Sequence, residues 1–225
     1  MELSIDTSTS FSTISLSSEG IVIKELSWDA KRNHSMELCP AIWSILDQAN
    51  IKPTNLKSVF IAKGPGGFSS LRVGMSFAKA ISMTLQIPLV SISTLDIEIK
   101  PYLPSKLPVF AMIKASTKSV YSISNLDRNE SIRVINLDEI DKVTTSKTIF
   151  CGEAMTEVGS ILNSKLGDLA IVKADPMPTR KASVLASLGY IKLMEFGGED
   201  IDALEPVYIS GAQYDSAIGQ IKSKR

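Results

Sequence analysis

The residues of this chain best placed to do chemistry follow two apolar runs. Leu3-Ser4-Ile5 ends in Asp6-Thr7-Ser8-Thr9. A carboxylate and hydroxyls after a strand can hold Mg²⁺ or phosphate. The same residue types close hairpins as Asx or ST turns, and no glycine is present to let a phosphate approach the backbone. The turn is therefore the simpler reading. Ser58-Val59-Phe60-Ile61-Ala62 leads into Gly64-Pro65-Gly66-Gly67, which opens a helix. Backbone N–H groups exposed at such a place form a generic anion site. The Gly-Lys-Ser/Thr ending of a P-loop and the GxGxxG spacing are both absent. A tight strand-to-helix connection thus stands against a phosphate cradle, and Arg72, one turn on, reads as a surface or ion-pairing arginine.

His34 is the single histidine. It rules out a multi-histidine metal site and any histidine-based triad that does not use it. Its plainer role is a helix-terminus residue bonded to backbone. No Ser or Cys lies in a G-x-S-x-G elbow. Cys39 and Cys151 have neither metal-ligand nor disulfide-framework spacing, and read as buried free thiols of a reducing compartment.

The elements that position these residues follow from periodicity. Leu3/Ile5, Ile14/Leu16 and Ile21/Ile23/Leu26 alternate around turn residues and predict three short strands in a meander. A helix follows over 35–50, with Ser35 as N-cap and Leu38, Ile42, Ile45 and Ala49 on one face. Met36, Cys39, Trp43 and Leu46 widen that face beyond what one sheet contact requires. Pro40 starts or bends this helix near Cys39. After the strand 58–62, a second helix over 69–86 carries a stripe of Gly74, Ala78 and Ser82, which allows close helix approach. Leu89-Val90-Ser91-Ile92 is the next strand.

Pro101, Pro104 and Pro108 mark a boundary. Strands resume over 109–113, 120–126, 148–151 and 169–172, with helices over 138–143, 153–162 and 181–196. The expected organisation is an N-terminal lobe over 1–104 and a C-terminal lobe over 105–225 with a frayed tail after Ile209.

Composition narrows the function. The chain has 225 residues, 44% hydrophobic and 21% charged, enough to bury a sizeable core. Lys plus Arg and Asp plus Glu both number 24, so the net charge is zero. A free-standing nucleic-acid binder carries a basic excess; an RNA substrate would here be held by a partner. The N-terminus lacks the basic and apolar regions of a signal peptide, and no apolar run approaches the roughly 20 residues of a membrane span. The expectation is a cytoplasmic protein.

Three blocks in order resemble the TsaB (YeaZ) family. They are Leu3-Ser4-Ile5-Asp6-Thr7-Ser8-Thr9 with Thr13-Ile14-Ser15-Leu16; Asn33-His34-Ser35 with Leu38 and Pro40; and Gly64-Pro65-Gly66-Gly67-Phe68-Ser69-Ser70-Leu71-Arg72-Val73-Gly74 with Ala78-Lys79-Ala80, Pro88-Leu89 and Ser93-Thr94-Leu95. They cover about residues 1–95. The second half matches weakly, through Val120-Tyr121 and Glu205-Pro206-Val207-Tyr208. The resemblance implies an α/β, actin-like and Hsp70-like ATPase fold of two lobes, each a mixed sheet with flanking helices. It implies a role in making threonylcarbamoyladenosine on tRNA beside the catalytic paralogue TsaD and the ATPase TsaE, with a homodimer in isolation, tRNA met only through the complex, and no membrane.

The paralogue's metal-binding histidine pair corresponds here to Thr94 and Glu98. The chain therefore resembles a non-catalytic scaffold with no cofactor of its own; an adenine nucleotide shared at the heterodimer interface stays open. The implied heterodimer packs through the two N-lobe helices. Together with the over-apolar faces, this selects Ile42, Trp43, Leu46, Gly74, Ala78 and Ser82 as partner contacts, against their packing in the chain's own core. Gly67 and Ser70 depart from the family's usual Ser and Gly. Lys114-Ala115-Ser116 replaces its Asp-Ala-Arg. Gly152-Glu153-Ala154-Met155 loses one glycine of the second lobe. The alternative is an active enzyme of this fold, a nucleotide hydrolase or kinase or a glycoprotease-like hydrolase, which would need Asp6 and the glycine turn to hold Mg-nucleotide.

Overall fold

The computed structural model describes residues 1–31, 33–126 and 131–209. They form two compact units. The first is Met1–Ile97 with Arg180–Val207, the second Glu98–Thr179 with Tyr208 and Ile209. The tail after Ile209 lies outside the described residues.

The first unit opens with the expected meander, β1 (Glu2–Asp6), β2 (Phe11–Ser18) and β3 (Ile21–Asp29). Helix α1 (His34–Gln48), strand β4 (Ser58–Ala62), helix α2 (Phe68–Leu85) and strand β5 (Leu89–Ile92) follow, and the division between the units falls within the short helix α3 (Thr94–Ile99). The sheet order is β3-β2-β1-β4-β5, antiparallel through the meander and parallel from β1 to β5.

Because side chains alternate along a strand, Leu3 and Ile5 of β1 face one way and Ser4 and Asp6 the other. Leu3, Ile5, Ile14, Leu16, Val59 and Ile61 join Leu38, Ile42 and Ile45 of α1 and Met75 and Ala78 of α2 in one core. Helix α1 begins at His34, with Asn33 as N-cap, and runs through Pro40. The missing Pro40 N–H leaves the Met36 carbonyl without its helical donor. Both residues lie on the exposed side of the helix, where water can replace that bond.

The second unit repeats the plan. Strands β6 (Val109–Lys114), β7 (Ser119–Ser124) and β8 (Arg133–Asn136) form the meander. Helix α4 (Ile140–Val143), strand β9 (Thr148–Cys151), helix α5 (Met155–Leu166) and strand β10 (Ala170–Val172) follow, with sheet order β10-β9-β6-β7-β8. Its core gathers Phe110, Met112, Val120, Phe150, Val158 and Leu162.

Helix α6 (Ala182–Phe196) belongs to the first unit, not to a C-terminal lobe beginning at residue 105. Its Leu185 packs with Phe60, Ala62, Val90 and Ile92, on the sheet face opposite α1 and α2. Element order along the chain does not fix which sheet a helix covers. Two short elements, α3 and β8, also escape the sequence reading. They have six and four residues, too few for periodicity to mark them.

Candidate functional site

The loop after β1 is closed by its own side chains. Asp6 Oδ1 accepts from the Ser8 N–H at 2.9 Å and the Ser8 hydroxyl at 2.6 Å. This is the Asx turn among the sequence alternatives. Asp6 Oδ2 accepts from Arg180 Nε at 2.7 Å, and Arg180 Nη2 donates to Thr9 Oγ1 at 2.5 Å. Both members of the ion pair are sealed, with 5% and 2% of their side chains exposed. The only hydrogen-bonding role open to His34 at its 2.8 Å contact is to donate Nε2–H to the Thr9 carbonyl. That is the backbone-bonded role expected for it.

The glycine turn between β4 and α2 lies directly on this loop. The Gly67 N–H donates to the Ser8 carbonyl at 2.8 Å, and the Thr7 hydroxyl donates to the Ser70 carbonyl at 2.8 Å. A Cβ on Gly66 would lie 2.0 Å from the Ser8 carbonyl oxygen, so the turn is glycine because another stretch of backbone occupies the space of a side chain. The Gly67 amide, which a phosphate cradle would aim at its ligand, points at a carbonyl. The second unit closes its corresponding turn alike: the Ala154 N–H donates to the Met112 carbonyl at 3.2 Å.

Glu98, which the resemblance sets at one position of the paralogue's histidine pair, is buried in the second unit. Its Oε1 accepts from the Thr179 hydroxyl at 2.6 Å and the Glu153 N–H at 3.1 Å. Burial pushes the neighbouring Cys151 thiol above its ordinary range, and the charges of Glu98 and Asp175 push it further. Burial, then the hydrogen bond to Asp175, does the same to the Tyr102 phenol. A protonated thiol is a poor nucleophile.

Of the six residues selected as partner contacts, Ile42, Leu46, Gly74, Ala78 and Ser82 are buried inside the first unit. Trp43 is 60% exposed. Gly74 and Ala78 of the small-residue stripe pack inside the first unit. A Cβ on Gly74 would meet Thr7 Oγ1 at 2.2 Å and Ile61 Cδ1 at 3.3 Å, so α2 uses this position to approach the β1 loop and β4. Ile42, Leu46 and Ala78 share the core beneath α1 and α2. Met36 lies seven residues before Trp43 and is also exposed, as are Phe68 and Met83 on α2. The sequence reading did not single out Arg180. Its partner Asp6 lies 174 positions away, and nothing local marks an arginine that will be buried.

Two sheets of one plan, each a meander extended by parallel strands, define the class: an actin-like, Hsp70-like ATPase fold. YeaZ from Pseudomonas aeruginosa superposes with a TM-score of 0.73 at 22% identity, covering 92% of this chain and 99% of that one. Component A of (R)-2-hydroxyglutaryl-CoA dehydratase from Acidaminococcus fermentans superposes with a TM-score of 0.53 at 12% identity, over 86% and 99% of the two chains. The tRNA threonylcarbamoyladenosine biosynthesis protein TsaB of Bacillus subtilis is 37% identical over 94 residues, 42% of this chain. That match spans 41% of the relative's own length. The family model described as TsaD, tRNA N6-adenosine threonylcarbamoyltransferase, matches residues 19–178. The chain belongs to this family, and its relatives include TsaB and YeaZ proteins. No helix among the described residues is long and apolar enough to cross a membrane.

Proposed function

We propose that the chain is a non-catalytic subunit for making threonylcarbamoyladenosine on tRNA in the cytoplasm. It supports a TsaD-type threonylcarbamoyltransferase together with a TsaE-type ATPase. The observation that carries this reading is at Glu98, which with Thr94 holds the positions that the resemblance sets against the catalytic paralogue's histidine pair. Glu98 is buried and accepts from the Thr179 hydroxyl and the Glu153 amide. With no net charge to hold RNA phosphates, tRNA reaches the chain through the complex.

The surface that meets the paralogue, or a second copy in isolation, centres on the exposed side of α1. Met36 and Trp43 share that side at a spacing of seven residues and stand open to solvent. A partly exposed tryptophan is the residue type most enriched among binding hot spots. An adenine nucleotide shared with the partner would use groups other than the closed Asp6 turn.

Reconstitution tests the reading. The paralogue, the ATPase, tRNA, ATP and a preformed activated threonylcarbamoyl donor (the threonylcarbamoyl-adenylate) are combined with and without this chain, and modified adenosine is measured by mass spectrometry. Modification should require the chain, and the chain without the paralogue should give none. Modification by the chain alone, or an equal yield when it is omitted, would refute the proposal.

A further inference from the structure

The class of fold described above implies a Mg²⁺-nucleotide, and in this chain Asp6 and the glycine turn are the residues that would hold it. The groups present do not fit that ligand. Both oxygens of the buried Asp6 carboxylate are already engaged: Oδ1 receives two donors from Ser8, and Oδ2 receives Arg180 Nε at 2.7 Å. The Gly67 amide donates to the Ser8 carbonyl, and backbone fills the space above Gly66. The cavity beside Asp6 is lined by Ser4, Thr13, Ser15 and Arg180 and measures about 10 Å³, room for roughly one water molecule. The buried Ser4 and Ser15 hydroxyls have no partner among the described residues, and one ordered water would satisfy both.

We infer that Arg180 is a built-in counter-cation: its guanidinium, delivered by the segment that leads into α6, neutralises Asp6 in place of a divalent metal and seals the end of β1. A buried carboxylate needs a compensating charge. In a Mg²⁺-dependent protein the ligand would supply it and would stabilise the fold by mass action. Here residue 180 supplies it permanently. The first unit is thus complete without nucleotide, and the pair pins α6, distant in sequence, onto the meander. This goes beyond the proposed partner role and does not rest on it, since a chain that fails to support tRNA modification could still carry the internal cation.

Thermal unfolding of the full chain with and without millimolar Mg²⁺ and Mg-ATP tests it, using wild type, Arg180→Met and the double variant Asp6→Asn/Arg180→Met. The wild-type Tm should not move with Mg²⁺ or Mg-ATP. Arg180→Met leaves a buried, uncompensated carboxylate and should lower Tm by roughly 10 °C. The double variant removes both charges and should recover most of that loss. If Arg180→Met does not fold, a folded double variant gives the same answer. A wild-type Tm raised by Mg-ATP, with the rise lost in the double variant, would overturn the inference. So would a double variant no more stable than Arg180→Met.

Discussion

The Gly67 amide donates to the Ser8 carbonyl at 2.8 Å, so the turn between β4 and α2 is bonded to the loop after β1. Because the Gly66 Cα stands against the same carbonyl, the turn cannot take a side chain there without opening. Gly66→Ala should lose about 2–3 kcal/mol of stability, the range of a backbone-strain substitution. Gly67→Ala is the control. Its Cβ would meet the Ser70 hydroxyl, the end of a half-buried side chain that can rotate away by giving up its bond to the Gly67 carbonyl, and should cost about 1 kcal/mol. Urea unfolding of both variants measures the difference.

The inward position of Ala78 and the outward position of Trp43 separate folding from partner binding. Ala78→Phe forces a ring into a filled core between α2, α1 and the sheet. It should destabilise the chain by about 1–3 kcal/mol or more, and any loss of complex would follow from that. Trp43→Ala should change stability by less than about 1 kcal/mol. If α1 is the docking surface, it should weaken binding to the paralogue by roughly tenfold or more. Calorimetric titration of each folded variant distinguishes the two effects, and unchanged affinity in Trp43→Ala would remove α1 from the proposed surface.

Glu199 clamps the segment after α6 to the edge strand β5. It accepts from the Ser91 N–H at 2.7 Å, the Ser91 hydroxyl at 2.9 Å and Lys192 Nζ at 2.8 Å. Burial raises its carboxyl, but Lys192 and the Ser91 bonds outweigh burial and leave it below its ordinary value. A carboxyl depressed in the folded state stabilises the fold above its unfolded pKa, and that contribution fades as pH falls through the folded value. Glu199→Gln should therefore lower stability by about 1 kcal/mol at neutral pH. The gap from wild type should close in acid below the folded value, where both side chains are neutral. A gap independent of pH would mean that Glu199 acts through packing alone.

The two thiols should react unequally. Cys151 is fully buried, and burial together with Glu98 and Asp175 holds it protonated. Cys39 is half-buried on α1. An aromatic disulfide reagent at neutral pH should titrate one thiol in the native chain and two after denaturation, and Cys39→Ser should abolish the native reaction. Rapid native labelling of Cys151 would show that the second unit opens readily.

The sequence by itself determined much of the local architecture. Alternation gave the three strands of the first meander and the first two of the second, but not β8. Helical spacing gave α1, α2, α5 and α6 to within a few residues, since long amphipathic elements carry their own period. The family blocks identified the glycine turn and the Asp6 loop as the residues to watch, and the single histidine limited the chemistry. What the tertiary structure alone decided was direction and closure. A stripe of small residues shows that something packs closely on α2, but not whether it is a partner or the chain's own β1 loop; Gly74 over Thr7 answers for the second. An apolar helix after a proline-rich boundary does not declare which sheet it covers, because the hydrophobic effect has no direction; α6 returns to the first. The Asp6 carboxylate, open in sequence to metal or turn, is sealed by a guanidinium 174 residues away. That pairing depends on burial and long-range geometry, which no local spacing encodes.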